Sequence, residues 1–442
     1  MKTLLQNCDI LADTDAQPRF LRQAYLGIDG AYIRYIGGQP PAEHYDRTIS
    51  LSHRLLLPGL VNCHGHAAMV LLRGLGGNLP LDQWLARMFA LEARMRPEDI
   101  RAGSEAALME MLRTGTTSFS DMYLFPETMA ECAASAGIKA NLCEGVTEFD
   151  PDALPENNRD IQNALRLYER WHGRADDRIR VDFGIHAEYT STEPVVRAVA
   201  EACAERNGRI QLHLSETDRE HAACVARRGK TPAQWFADLG VFRSPTAAAH
   251  CVAVTQDDLH LLRRCGVMPV HNPTSNLKLG SGTAPVVRMQ KEGMTVALGT
   301  DGAASNNNLN MFEELHIASI LHNGVLKTPD ALLPLDCIRM ATVNGARLQG
   351  RPDTGVLSVG KKADIIALNT DAPHLYPLLD PLEAVCYSAQ GSDVCMTMVD
   401  GKILYRDGQY DTLDEESIRY RMKKSVDRLF SAIGEDGTGG KK

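Results

Sequence analysis

His64 and His66 stand one residue apart, where the apolar run "LLLPGLVNC" gives way to a loop. Alternate residues of a strand face the same side, so both imidazoles can point one way, about 6–7 Å apart at Cα, and share one cation. Taken alone, the pair could be two surface-loop histidines. The pattern recurs, however: His186 follows "IRVDFGI", His213 lies in "GRIQLHL", His250 follows "PTAAA", and Asp301 follows "MTVALGT". A single histidine of this kind is more often a core residue, and a single aspartate a turn former. Four ligand-type residues from three strand ends favour a metal instead. His64, His66, His213 and Asp301 make a set suited to zinc, with iron the other candidate.

Two-metal barrels with such ligands bridge their ions through a carbamylated lysine on the fourth strand. Here no lysine occurs between Lys139 and Lys230, and Lys139 opens the third strand at its far end. One divalent transition metal per chain is therefore expected. Glu216 follows His213 by three residues in "HLSET". Its ordinary reading is a cap or loop carboxylate. Beside a metal it can instead carry a proton between water and a ring nitrogen. His250 can orient the attacking water.

These residues need a scaffold that brings strand ends together. Eight strand-like runs, each followed by helix-compatible sequence such as "EPVVRAVAEACAER" or "TQDDLHLLRRCG", fill residues 58–353. That rhythm predicts an α/β fold, a (β/α)8 TIM-type barrel whose catalytic groups sit where the strands end. Residues 1–57 and 354–412 share a texture of short strands and turns, which predicts one small β-sandwich domain built from both chain ends. Residues 413–442 read as a helix followed by a disordered tail, "DGTGGKK".

The net charge of −9 argues against a nucleic-acid partner. No apolar run has the length of a membrane span, so no membrane partner is expected. The start "MKTLLQNCDILAD" meets an acid at Asp9, too early for a signal-peptide core. Eleven scattered cysteines without a CxxC pair suit reduced thiols, and a cytoplasmic protein is expected. A homo-oligomer is left open.

The segments "PGLVNCHGHAAMVLLRGLGGNLPLDQWL", "HLSET", "AAHCV", "HNPTSNLKLGSGTAPV" and "LGTDGAASNNNLNMFEE" resemble the amidohydrolase superfamily, in particular its 5-methylthioadenosine/S-adenosylhomocysteine deaminases. The likeness runs along nearly the whole chain. It implies that His64, His66, His213 and Asp301 hold the metal, that Glu216 transfers protons, and that His250 lies by the reacting centre. It also implies that Glu92 holds the ribose hydroxyls, that His186 lies on the ribose side, and that Trp84 packs on the substrate's far end. In one place the sequence departs: Glu144, in "NLCEGVTEF", stands where similar enzymes carry an arginine at the substrate's tail. Arg159 is the other candidate for that end.

The expected reaction is hydrolytic deamination of an adenosine-type nucleoside at C6, with Asp301, His250 and Glu216 moving the protons. Two rivals remain at this level. A related barrel could deaminate a free base or another heterocycle (guanine, a pterin, a triazine), but such a substrate has no ribose for Glu92. A non-catalytic scaffold would have lost one or more ligands, and this chain keeps them all.

Overall fold

The computed structural model describes residues 1–436. The end of the expected disordered tail, residues 437–442, lies outside the described residues. Before it runs a helix, Glu415–Asp436.

Both chain ends build one sheet. From the N-terminal side come β1 (Lys2–Ala12), β2 (Arg19–Asp29), β3 (Tyr32–Gly37), β4 (Arg47–Ser50) and β5 (Arg54–Pro58). The chain then continues through the strands of the central region. These are β6 (Leu60–Asn62), β7 (Thr116–Met122), β8 (Lys139–Cys143), β9 (Gly145–Val146), β10 (Ile179–Val181) and β11 (Phe183–Ile185). They continue with β12 (Ile210–Leu214), β13 (Thr246–His250), β14 (Met268–His271) and β15 (Ala297–Leu298). From the C-terminal side come β16 (Ile365–Asn369), β17 (Val394–Val399), β18 (Lys402–Arg406) and β19 (Gln409–Tyr410).

The nine-stranded sheet runs β19-β18-β17-β16-β5-β1-β2-β3, with β4 beside β1. Its seam is the antiparallel pair β5–β16, in which Leu57 faces Ile366 and Leu55 faces Leu368. Successive side chains of a strand point to opposite faces. Leu56 and Ile365 accordingly enter the sheet's own core, with Leu5, Ile10 and Met398. Leu55, Leu57, Ile366 and Leu368 enter the core of the central region. Burial on both faces explains why "LLL" and "IIAL" are unbroken apolar runs rather than alternating ones.

The central strands are parallel and form two arcs, β6-β7-β8-β10 and β9-β11-β12-β13-β14-β15. Each segment expected as a strand contains one, although β15 has only two residues. The third and fourth runs are each split in two, around Glu144 and Asp182. The first and last runs approach each other: the Cys63 N–H donates to the Leu298 carbonyl at 2.9 Å, and that of Asp301 to the His64 carbonyl at 3.0 Å. Gly299 permits this approach, since a Cβ there would stand 2.8 Å from the His64 nitrogen. Helices follow the strands as expected. In "TQDDLHLLRRCG" the Thr255 hydroxyl accepts from the Asp258 N–H at 3.1 Å, and Asp258 accepts from the Thr255 N–H at 2.9 Å. This reciprocal cap starts the helix Gln256–Arg264.

Lys139, at the start of β8, is buried and reaches away from the strand ends. Its ammonium lies 2.5 Å from Asp364 and 2.7 Å from Asp400, both borne by the C-terminal part of the nine-stranded sheet. It ties the two regions together.

Candidate active site

His64 and His66 follow β6, His213 lies within β12, His250 ends β13, and Asp301 follows β15. Their donor atoms converge. His64, His66 and Asp301 each offer an atom within 4.8 Å of the others, as do His64, His213 and His250. Asp301 Oδ1 is 3.5 Å from His64 Nε2 and 3.2 Å from His66 Nε2, while the Nε2 atoms of His66 and His213 are 3.4 Å apart.

The outer ring nitrogens are already engaged. His66 Nδ1 donates to the Met122 carbonyl at 2.6 Å, and His213 Nδ1 to the His186 carbonyl at 2.6 Å. His250 Nδ1 is 2.8 Å from Asn276 Oδ1. A hydrogen bond on one ring nitrogen fixes the ring and turns the other towards the centre, the usual support for a metal-bound histidine. Asp301 is held in the same way, with Oδ2 accepting from the hydroxyls of Ser275 at 2.6 Å and Ser305 at 2.8 Å. That leaves Oδ1 for the cluster.

The donor set fits a divalent cation on one further ground. His64 Nε2 is buried without a hydrogen-bond partner, Asp301 Oδ1 standing at 3.5 Å without completing a bond. A buried polar atom left open in the midst of three other ligand atoms is what a coordination site requires.

The electrostatics agree for His64, His213 and Asp301. Burial lowers the His64 pKa to about 4 and holds His213 well below its ordinary value, so both rings are neutral and able to ligate. Burial also works against the Asp301 carboxylate, but the rings of His64 and His66 hold its pKa well below the usual range. For His66 the Asp301 carboxylate overrides burial and raises the pKa to about 9. His250 and Asp301 have φ angles of +71° and +63°, left-handed backbone rarely used outside glycine and here found at the reacting end of the strands.

A cavity of about 570 Å³ opens over this cluster. His66, His213, His250, Asp301 and Glu216 line its floor. The Glu216 carboxyl is buried, which raises its pKa, and its Oε2 lies 3.8 Å from His250 Nε2. One wall is the helix Leu81–Glu92, which presents Trp84, Met88, Phe89 and Glu92. Trp84 is also 95% buried in an apolar cluster with Met88 and Leu91, so it combines the core role with the lining one. Burial raises the Glu92 pKa, with Tyr123 as its opposing hydrogen-bond partner. His186 lines the cavity too, its Nδ1 3.0 Å from Thr190 Oγ1, and burial lowers its pKa to about 3.

Glu144 lines the same cavity, whereas Arg159 does not. Arg159 begins the helix Arg159–Trp171 just after the Asn158 cap and projects into a smaller neighbouring cavity of about 400 Å³. Sequence reasoning missed Tyr123, Asn276, Ser275 and Ser305. Ser275 lies within the quoted "HNPTS" segment, but no spacing rule ties a serine to a carboxylate 26 residues away.

The profile of the Amidohydrolase family matches residues 55–404. The chain is 40% identical over 432 residues to a 5-methylthioadenosine/S-adenosylhomocysteine deaminase of Thermoanaerobacter pseudethanolicus, covering 97% of this chain and 100% of that protein. It is 39% identical to a 5'-deoxyadenosine deaminase of Methanosarcina mazei, covering 97% and 99%. Among solved structures, an adenosine deaminase of Xanthomonas campestris with bound zinc superposes with a TM-score of 0.90 at 30% identity, covering 97% and 98% of the two chains. No helix among the described residues is long and apolar enough to cross a membrane. With relatives this similar along their entire length, and the family profile spanning both the strands and the ligands they carry, the chain belongs to the amidohydrolase family.

Proposed function

We propose that the protein hydrolyses the C6 amino group of an adenosine-type nucleoside, giving the inosine analogue and ammonia. One observation carries this reading: the histidine–aspartate cluster, the Glu216 carboxyl and the Glu92 carboxyl share one cavity of nucleoside size. The deaminase names of full-length relatives support it.

His64, His66, His213 and Asp301 would hold a single divalent ion, with zinc first and iron second. When bound, such an ion supplies a Lewis acid that brings the pKa of a water towards neutrality. The rest is the work of this chain's side chains. Asp301 and His250, 5% and 2% exposed, accept the proton of the attacking water. Glu216 delivers a proton to N1 of the purine, so that C6 becomes electrophilic as oxygen adds. The amino nitrogen then takes the proton held by Asp301 and His250 and leaves as ammonia, while the hydroxyl on C6 returns its proton to Glu216 and the oxygen stays as the carbonyl. Glu92 grips the ribose hydroxyls, His186 flanks the ribose, and Trp84 closes the apolar wall.

For the scaffold we infer a closed (β/α)8 barrel over residues 58–353, with a β-sandwich domain from 1–57 and 354–412. The Cys63–Leu298 and Asp301–His64 hydrogen bonds between first and last strands support closure. Eleven unpaired cysteines suit a reducing, cytoplasmic setting.

The test is an ammonia-release screen over adenosine, 5'-deoxyadenosine, methylthioadenosine, S-adenosylhomocysteine, guanine and cytosine. Turnover confined to the nucleosides is expected. A free base as best substrate would overturn the role of Glu92 and the nucleoside reading with it.

A further inference from the structure

Among the described residues lining the catalytic cavity there is no lysine and no arginine. The charged groups that line it apart from histidines are all carboxyls: Glu92, Glu144, Asp160, Glu216 and Asp301. Three of these serve the proposed chemistry or the ribose. Glu144 and Asp160 serve neither, and they share their part of the wall with Thr147 and Phe149. Glu144 is only 7% exposed, in the gap between β8 and β9. Asp160 accepts from the Thr147 N–H at 3.2 Å and from its hydroxyl at 3.1 Å.

Arg159 and Arg166 are close by but lie on the other side of this pair. They line only the neighbouring cavity, whereas Glu144 and Asp160 line both. The carboxyl pair therefore stands between the substrate and the two guanidinium groups. Glu144 itself reports what an acidic group meets here. Burial and then Asp160 push its pKa up to about 8, although Asn163, Arg159 and Arg166 all act to lower it.

With the purine over the ligand cluster and the ribose at Glu92, the substituent on C5' is left with this wall and the apolar side chains around Trp84. We propose that it selects adenosine-type nucleosides with an uncharged, apolar 5' substituent and excludes those that carry a carboxylate. The inference rests on the deaminase reading and refines it. A carboxylate entering here leaves water, meets a wall with no cation in it, and is subject to the same burial and the same Asp160 charge that disfavour the ionised form of Glu144. A methylthio or methyl group packs against Phe89 and Phe149 without that cost.

Matched pairs of substrates test this on the wild-type enzyme. Methylthioadenosine is compared with 5'-carboxymethylthio-5'-deoxyadenosine, and S-adenosylhomocysteine with its decarboxylated counterpart. In each pair kcat/KM is expected to fall at least tenfold for the carboxylate-bearing member, mainly through KM. Asp160→Asn, which removes a carboxylate, and Glu144→Arg, which adds a cation, should narrow the gap, with metal content and circular dichroism checking the fold of each variant. Equal or better turnover of the carboxylate members by the wild type overturns the proposal, whatever the variants do. Calorimetric binding of the same four nucleosides reads the preference independently of turnover. Silence of every nucleoside in the ammonia assay would sink the deaminase reading, while the binding pairs would still decide the tail preference.

Discussion

His213 donates its Nδ1–H to the backbone carbonyl of His186 at 2.6 Å, which joins a proposed metal ligand to a residue of the substrate wall. Because the acceptor is backbone, the side chain of His186 is free for another task. His186→Ala should keep one metal ion per chain and raise KM for nucleosides roughly five- to tenfold, the worth of one lost hydrogen bond. His64→Ala or Asp301→Ala should lose both metal and turnover, as should chelation of the wild type. Elemental analysis beside steady-state kinetics separates the two classes.

Glu216→Gln keeps the shape of the side chain and removes its proton. Metal content and nucleoside binding should persist. The rate should fall about 10²–10⁴-fold, the usual cost of losing a general acid–base, and towards the upper end because the same carboxyl serves more than one transfer. A variant within a few-fold of wild type would place proton transfer on another group.

Glu92→Ala removes the acceptor proposed for the ribose hydroxyls. Each charge-assisted bond lost is worth about 1.5–3 kcal/mol, tenfold or more in kcat/KM. 2'-Deoxyadenosine already lacks one hydroxyl and should lose less than adenosine does. An equal loss for the two nucleosides would remove Glu92 from the ribose.

Lys139→Met tests the link between the two regions. The substitution leaves Asp364 and Asp400 facing each other without their shared cation, both largely buried. Breaking such a buried arrangement typically costs about 3–5 kcal/mol. Denaturant unfolding should register that loss while the folded variant retains its metal. An unchanged midpoint would mean that the contact adds nothing to stability.

Much of the candidate site was legible in where the apolar runs stop. His64 and His66 follow β6 and Asp301 follows β15, while His213 stands near the end of β12 and His250 at the end of β13. The strand alternation expected for His64 and His66 does not apply, because both lie beyond the strand. What holds these side chains in place was not legible. Asn276 reaches His250 from a helix 26 residues on, and Tyr123 comes to Glu92 from the end of another strand. Such pairs depend on the closeness of separate βα loops, which no local pattern encodes. Arg159 shows the same limit. Its place at the first turn of a helix could be anticipated, but the cavity it faces depends on how that helix packs. β15 stops at Leu298, next to Gly299, where a Cβ would stand 2.8 Å from the His64 nitrogen.

The seam between β5 and β16 also bears on how the chain is made. Leu57 and Ile366 are paired in space but separated by the whole central region. During synthesis the open edge of β5 waits for a partner that leaves the ribosome roughly 300 residues later, some 15 to 60 s at ordinary elongation rates. An apolar strand edge left open that long invites pairing with other nascent chains. Newly made protein should therefore pass through an interval of chaperone dependence that ends when residues 365–369 emerge and the two ends of the polypeptide are stitched together.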